Sequence, residues 1–357
     1  MKSILIIFYL VSISFCLKLN LIDDYFVKVY IGNYQKEFKL LVDPTYSFSY
    51  LLKQYESNTK TNKESSPFIL SNFYGNYSGI WATDTFYFEE EDLTIKMKFL
   101  DVYNKKNNSL NADGVLGLGL YEYLKYDKTI FYYIPNCVNN ITIYDNNNKN
   151  IFICEPDDYT KTDKVFLPLK YNDIVLNDQG VLHANKIIVN EKELDVKKAH
   201  TFIGLFPLLI FSKDVNDWIF EEQKKLNQKI TTKNLALDNN LKYKLYIEDN
   251  EFMYENEEKD INRIKPFLNV EEFVNNFQKN YLNNWYLGLN KKIFERVVFE
   301  YNKREITIFT KSYRYLIVRI ILFLLTTGFF IYALIDVLTK KKSKSPKNEN
   351  EQELMDL

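Results

Sequence analysis

Glycine is scarce in this chain, with ten in 357 residues against roughly 7% in an average protein. That excludes collagen-like repeats and flexible Gly-rich linkers, and it means glycine should survive only where the backbone requires it. Histidine is scarcer still. His183 and His200 are the whole complement, which excludes histidine-rich metal centres and leaves histidine-based catalysis unsupported. Neither sits in a Ser-His-Asp or Cys-His signature, and they read as one surface and one buried structural histidine. No metal or cofactor is expected. An excess of one charge is missing too: 46 basic residues stand against 47 acidic ones, so bulk charge gives a nucleic-acid partner no support. Cysteine is limited to three residues, and no internal repeat of 20–50 residues is visible.

What is abundant is apolar and aromatic: 46% hydrophobic residues, with 28 Tyr and 27 Phe, enough to bury a large core. Two apolar runs stand apart at the ends. Residues 2–17 read KSILIIFYLVSISFCL: one Lys, an apolar stretch, then small residues. This predicts a secretory signal peptide over 1–17, cleaved just after Cys16. Residues 316–338 read LIVRIILFLLTTGFFIYALIDVL, about 23 residues, long enough at 1.5 Å each to span a ~30 Å hydrocarbon core. Lys340, Lys341, Lys342, Lys344 and Lys347 follow, marking the cytoplasmic side. The expectation is a single-pass type I protein in the secretory pathway or at the cell surface. Its transmembrane helix covers 315–338, its ectodomain is luminal or extracellular, and its polar cytoplasmic tail covers 339–357.

An oxidising compartment fits the remaining cysteines. Loss of Cys16 leaves Cys137 and Cys154, which fall on what should be neighbouring antiparallel strands, 131–138 and 151–154, and so predict a disulfide rather than free thiols. Asn76, Asn107 and Asn140 head Asn-X-Ser/Thr sequons, candidate glycosylation sites.

Between the ends, short alternating or apolar runs recur at 25–31, 37–42, 83–88, 94–99, 140–144, 151–154, 187–189 and 304–309. This is a mainly β pattern. One amphipathic helix is expected over 211–229 and a short one over 292–297. Stretches 55–66, 145–150 and 254–265 read as surface loops.

Four segments then fall into a known order. DYFVKVYIGNYQKEFKLLVDPTYSFSYLL (24–52) has a strand, an Ile-Gly turn and a hydrophobic strand ending in Asp43. FYGNYSGIWATDT (73–85) carries Tyr74-Gly75 and Gly79-Ile80. ADGVLGLG (112–119) and WYLGLNKKIFERVVFEYNKREITIF (285–309) complete the set. Together they resemble pepsin-like aspartic proteases: first catalytic strand, flap hairpin, the Asp-Gly-apolar-Leu-Gly-Leu-Gly strand beneath the catalytic loop, and the C-terminal segment. The resemblance implies a bilobal pepsin-like fold, with an N-terminal lobe over 18–165 and a C-terminal lobe over 166–312. Gly32, Gly75, Gly79, Gly114, Gly117, Gly119, Gly204 and Gly288 fall on its turn positions.

In that family two aspartates share a proton, one as base and one as acid. Asp43 keeps the first position and is the only family aspartate retained, insufficient alone for the reaction. Pro44 replaces a bracing hydroxyl residue, and Thr45 replaces the loop glycine. The second loop is matched to 199–206, AHTFIGLF, which puts Gly204 at the loop glycine and Phe202 at the second aspartate. Tyr74 and Phe202 should line the cleft. The resemblance therefore implies a degenerate, non-catalytic pseudoprotease that binds a protein or peptide in or near its cleft from a membrane anchor. The alternative is an active membrane-bound aspartic endopeptidase with its second aspartate elsewhere, and a third reading is an adhesin or scaffold that uses its outer surface.

Overall fold

FVKVYI at Phe26–Ile31 alternates buried and more exposed side chains, the signature of a strand with one face on a core. It pairs antiparallel with Lys36–Asp43, turning at Gly32, whose φ of +80° suits a residue without a side chain. The computed structural model describes residues 17–310 except 34, 45, 63–65, 120–128, 136, 138–140, 155–162, 169, 172–179, 190, 226–241, 249, 256–257, 282, 289–293 and 302, together with 313–342. The signal peptide to residue 16, Thr45, Asn140 and the tail from 343 lie outside the described residues.

Among the described residues of 17–310 the strands form three sheets. The first runs in the order Phe26–Ile31, Lys36–Asp43, Gly114–Gly117, Tyr50–Leu51, Leu93–Lys106, Gly75–Phe88, Thr61–Asn62, with Phe68–Asn72 also on Gly75–Phe88. The second runs Leu209–Ile210, Trp285–Gly288, Lys192–Gly204, Gly180–Val189, Lys242–Ile247, Asn250–Glu255, with Lys170–Tyr171 on Gly180–Val189. A six-stranded sheet draws on both halves of the sequence: Leu17–Asn20, Asn150–Ile153, Ile141–Asp145, Phe294–Glu300, Glu305–Thr310, Asp163–Pro168. Leu17, the first described residue, pairs with Ile153 and is fully buried.

Among the described residues, three α-helices accompany the sheets: α1 (Lys213–Lys225), α2 (Glu258–Ile264) and α3 (Val270–Asn280). α1 is the helix expected near 211–229, burying Val215 and Ile219. Several local expectations fail. The short helix expected at 292–297 is a strand from Phe294, held between Ile141–Asp145 and Glu305–Thr310. The 254–265 stretch is no loop; it contains α2, which buries Ile261 and Ile264. The expected 131–138 strand is instead a 3-10 turn at Ile130–Tyr132. The disulfide holds nonetheless. Cys137 and Cys154 are joined, with Cα atoms 5.3 Å apart, because that turn still delivers Cys137 beside the end of Asn150–Ile153.

Residues Ser312–Leu357 form a second unit. Its helix α4 spans Tyr313–Lys342, and its large apolar side chains from Ile320 to Ile335 are exposed. Among the described residues no helix is long and apolar enough to cross a membrane. Side chains of α4 are described only over 320–336, about 25 Å at 1.5 Å per residue, and the expected span of 315–338 runs past both limits.

Candidate active-site cleft

Asp43 ends the Lys36–Asp43 strand and lies parallel to Gly114–Gly117, directly opposite Gly117. A Cβ at Gly117 would stand 2.4 Å from the Phe48 carbonyl oxygen, so glycine is required there by close backbone approach. Ser49 Oγ accepts the Gly117 N–H at 3.2 Å, and the Asp43 carbonyl accepts Leu118 N–H at 2.9 Å. Pro44 cannot donate from its nitrogen, but its carbonyl accepts Tyr301 Oη at 2.9 Å, tying the loop to the six-stranded sheet. Asp43 is fully buried.

The second half repeats this construction. Lys192–Gly204 lies parallel to Trp285–Gly288, with Gly204 opposite Gly288 and Phe202 opposite Tyr286. In both halves a short strand, Tyr50–Leu51 or Leu209–Ile210, returns antiparallel on the far side of the glycine-ending strand. By this register the counterpart of Asp43 is Gly204, not Phe202. The sequence match was two residues out because it anchored on Gly204 as the loop glycine. Phe202, on the same strand face, is buried against Phe277 and Tyr281.

The space beside Gly204 is occupied. A Cβ there would fall 2.1 Å from Tyr286 Oη and 2.2 Å from two ring carbons. Tyr286 is fully buried and its hydroxyl accepts the Phe206 N–H at 3.2 Å. A phenol thus takes up the loop hydrogen bond where the pseudo-symmetric position of the other half carries a carboxylate. Burial, and then the nearby charge of Asp43, hold this phenol well above its ordinary pKa.

The flap differs from the expected form. Its hairpin pairs Phe68–Asn72 with Gly75–Phe88, so Phe73 and Tyr74 are the turn, and Gly75 and Gly79 both lie on the return strand. Asn72 Oδ1 accepts the N–H groups of Tyr74 and Gly75 at 2.9 and 3.0 Å, an Asx-type turn. Tyr74 Oη donates to Asp43 Oδ2 at 2.7 Å. Burial and the charge of Asp43 raise the Tyr74 pKa well above its ordinary value, keeping it a donor. Ser109 holds the other side of the turn, its Oγ donating to the Tyr74 carbonyl at 3.0 Å.

Phe73 fills the space between the halves. Seven rings surround it at centroid distances of 4.9–6.3 Å: Tyr46 and Tyr74 from its own half, and Phe202, Phe273, Phe277, Tyr281 and Tyr286 from the other. Phe273 and Phe277 come from α3. That helix was not among those expected from the sequence, although Val270, Phe273, Val274 and Phe277 repeat at helical spacing; Asn269 caps it, its Oδ1 accepting Glu272 N–H at 3.2 Å. No short-range signal marks Tyr286; its place follows from the parallel pairing.

No protein-family model matches the chain, and no curated protein sequence matches it. Among solved structures, the crystal structure of an aspartic proteinase from Irpex lacteus aligns with a TM-score of 0.56 at 15% identity, covering 84% of this chain and 98% of that one. The fold is that of the pepsin-like aspartic proteinases. Within this pepsin-like fold the sheets of 26–117 and of 170–288 make up the two halves. Of the candidate glycosylation sites, Asn107 is exposed at a strand end with φ of +52°. Asn76 is half-buried, paired with Ser71 on one side and Lys106 on the other, two residues beyond the Phe73–Tyr74 turn. Asp195 and Asp214, the nearest carboxylates in sequence to the second loop, are exposed and line a separate cavity of about 710 Å³ with His200 and Trp218.

Proposed function

We propose that this protein is a membrane-anchored pseudoprotease, a pepsin-like scaffold that binds a protein or peptide at or beside its altered cleft without cleaving it. The observation that carries the reading is that the strand position matching Asp43 in register is Gly204, with Tyr286 in the space beside it. Hydrolysis on this scaffold needs one carboxylate to take a proton from water while the other protonates the scissile carbonyl oxygen. A buried phenol that stays protonated performs neither step at neutral or acidic pH. The bracing hydroxyls are absent as well, with Pro44 and Leu205 after the two strand ends, and Asp43 Oδ2 is engaged by Tyr74. The anchor is 316–338, with the lysines after it on the cytoplasmic side and the β-rich body in the lumen or outside the cell.

The test is direct. The purified full chain is offered mixed peptides from pH 3 to 7, with and without a statine-type inhibitor. The expected outcome is no inhibitor-sensitive cleavage. Cleavage that the inhibitor blocks and Asp43→Asn abolishes overturns the reading in favour of an active membrane-bound endopeptidase.

A further inference from the structure

Gly75–Phe88 alternates along its length, so Asn76, Ser78 and Ile80 share the face turned away from the buried Tyr77 and Trp81. The neighbouring strands add two exposed apolar side chains to that face. Ile69 stands directly opposite Ser78 on one side and is 65% exposed. On the other side Tyr103 is the extra residue where Leu93–Lys106 bulges past the Ser78–Gly79 step. It is 51% exposed and walls an open cavity of about 810 Å³ together with Ile80. Among the described residues outside α4, exposed large apolar side chains are few, so two that flank one tripeptide stand out. Phe68–Asn72 is also an edge strand: among the described residues it pairs with Gly75–Phe88 alone. Proteins blunt such edges with a charge or a proline in the strand, or by covering it. FILSN contains neither charge nor proline. The tripeptide between Ile69 and Tyr103 is Asn76-Tyr77-Ser78, a glycosylation sequon whose Asn and Ser both lie on the outward face.

We propose that Asn76 carries an N-linked glycan that lies across this face and covers Ile69 and Tyr103. A diagonal cross-strand neighbour is ~7–8 Å away, which puts Ile69 within reach of the first sugar on Asn76. A pyranose ring presents C–H groups on one side and hydroxyls on the other. Its C–H side lies against Ile69 and the Tyr103 ring, and its hydroxyls stay in water. The glycan thereby supplies the solubilising bulk that the edge strand lacks in its own sequence. This rests on the luminal placement of the β-rich body in the reading above. It adds a modification site and the surface that the modification protects.

The measurement uses the full chain made in a eukaryotic secretory host. Enzymatic deglycosylation in heavy-oxygen water leaves a mass label at each asparagine that was occupied, and a label at Asn76 is the expected result. Hydroxyl-radical footprinting then reads side-chain exposure on the glycosylated protein and on the same folded protein after deglycosylation. A third sample is Ser78→Ala, which loses the sequon and keeps Asn76. Oxidation of Ile69 and Tyr103 is expected to rise about twofold or more in both glycan-free forms. Tyr132, 55% exposed elsewhere in the fold, should not change. A label at Asn107 or Asn140 but none at Asn76 overturns the proposal and leaves the luminal placement standing. No label at any asparagine overturns both. An occupied Asn76 with unchanged oxidation at Ile69 and Tyr103 overturns the covering role.

Discussion

Position 204 has no side chain, and the aromatic ring of residue 286 fills the space. Gly204→Ala therefore forces a methyl group into a buried ring that also holds the Phe206 N–H. Overpacking of this kind costs about 1–3 kcal/mol. The expected loss is in that range in the wild-type background and falls to within about 0.5 kcal/mol in a Tyr286→Leu background, read as a coupling energy from denaturant melts of the four proteins. A pH effect belongs to this scale too. Asp145 is cross-strand to Arg296 in the six-stranded sheet, with Arg296 Nη2 2.7 Å from Oδ2, and it also accepts Asn148 N–H at 3.1 Å. Burial alone would raise its carboxyl, but the Arg296 and Asn148 hydrogen bonds outweigh burial and hold the pKa below the usual carboxylate range. A lowered folded pKa contributes stability above the unfolded value near 4 and loses it as pH falls through the folded value. Asp145→Asn is expected to lower stability by roughly 1–3 kcal/mol at pH 7, and the difference from wild type should shrink as pH falls below the usual carboxylate range. Asp43 was readable as a site residue because it ends an apolar strand in a recognisable segment. Tyr286 was not, because only the partner strand tells which residue its ring meets.

α3 carries the element-scale argument. Its apolar stripe buries Val270, Phe273, Val274 and Phe277, and its N-terminus depends on the Asn269 side chain. Asn269→Ala should cost about 1 kcal/mol and raise hydrogen exchange in the first turn of α3 before the rest of the protein responds. The disulfide acts between elements: it closes a separation of 17 residues, for which chain-entropy reasoning gives about 3 kcal/mol. Cys137→Ser is expected to lower the melting transition accordingly, and a reductant should do the same to wild type and nothing to the variant. Strands with clear alternation, such as Phe26–Ile31, were legible in the sequence. The 292–297 segment was not, since KIFERV carries helix and strand spacing at once and its two neighbouring strands decide between them. Glycine shows the same division. Gly32 takes a positive φ, as its scarcity suggested, but Gly117 and Gly204 are required by what lies beside them rather than by their own dihedrals.

At the scale of the whole molecule, the six-stranded sheet takes strands from residues 17–20, 141–168 and 294–310, so it forms only when segments far apart in sequence come together. Asp24, almost fully buried, receives Lys149 at 3.0 Å and also pairs with Arg263 of α2, joining the N-terminal segment to both later parts. Residues Ser312–Leu357 are a unit of their own. A chain ending at residue 311 is expected to stay in the aqueous phase of a detergent partition while the full chain enters the detergent phase; full-length protein remaining aqueous would remove the membrane anchor from the proposed function.

The sequence by itself determined the periodic features: β-rich composition, apolar runs at both ends, an even cysteine pair, and Asp43 in a segment of recognisable order. Each of these is local, set by alternation, length or spacing along the chain. Tertiary structure decided that Gly204 faces Gly288, that Tyr286 takes the space beside Gly204, and that Phe73 packs among rings from both halves. Those contacts join residues far apart in sequence through parallel strands and close backbone approach. A parallel register leaves no periodic trace along a single chain, so it has to be seen in three dimensions.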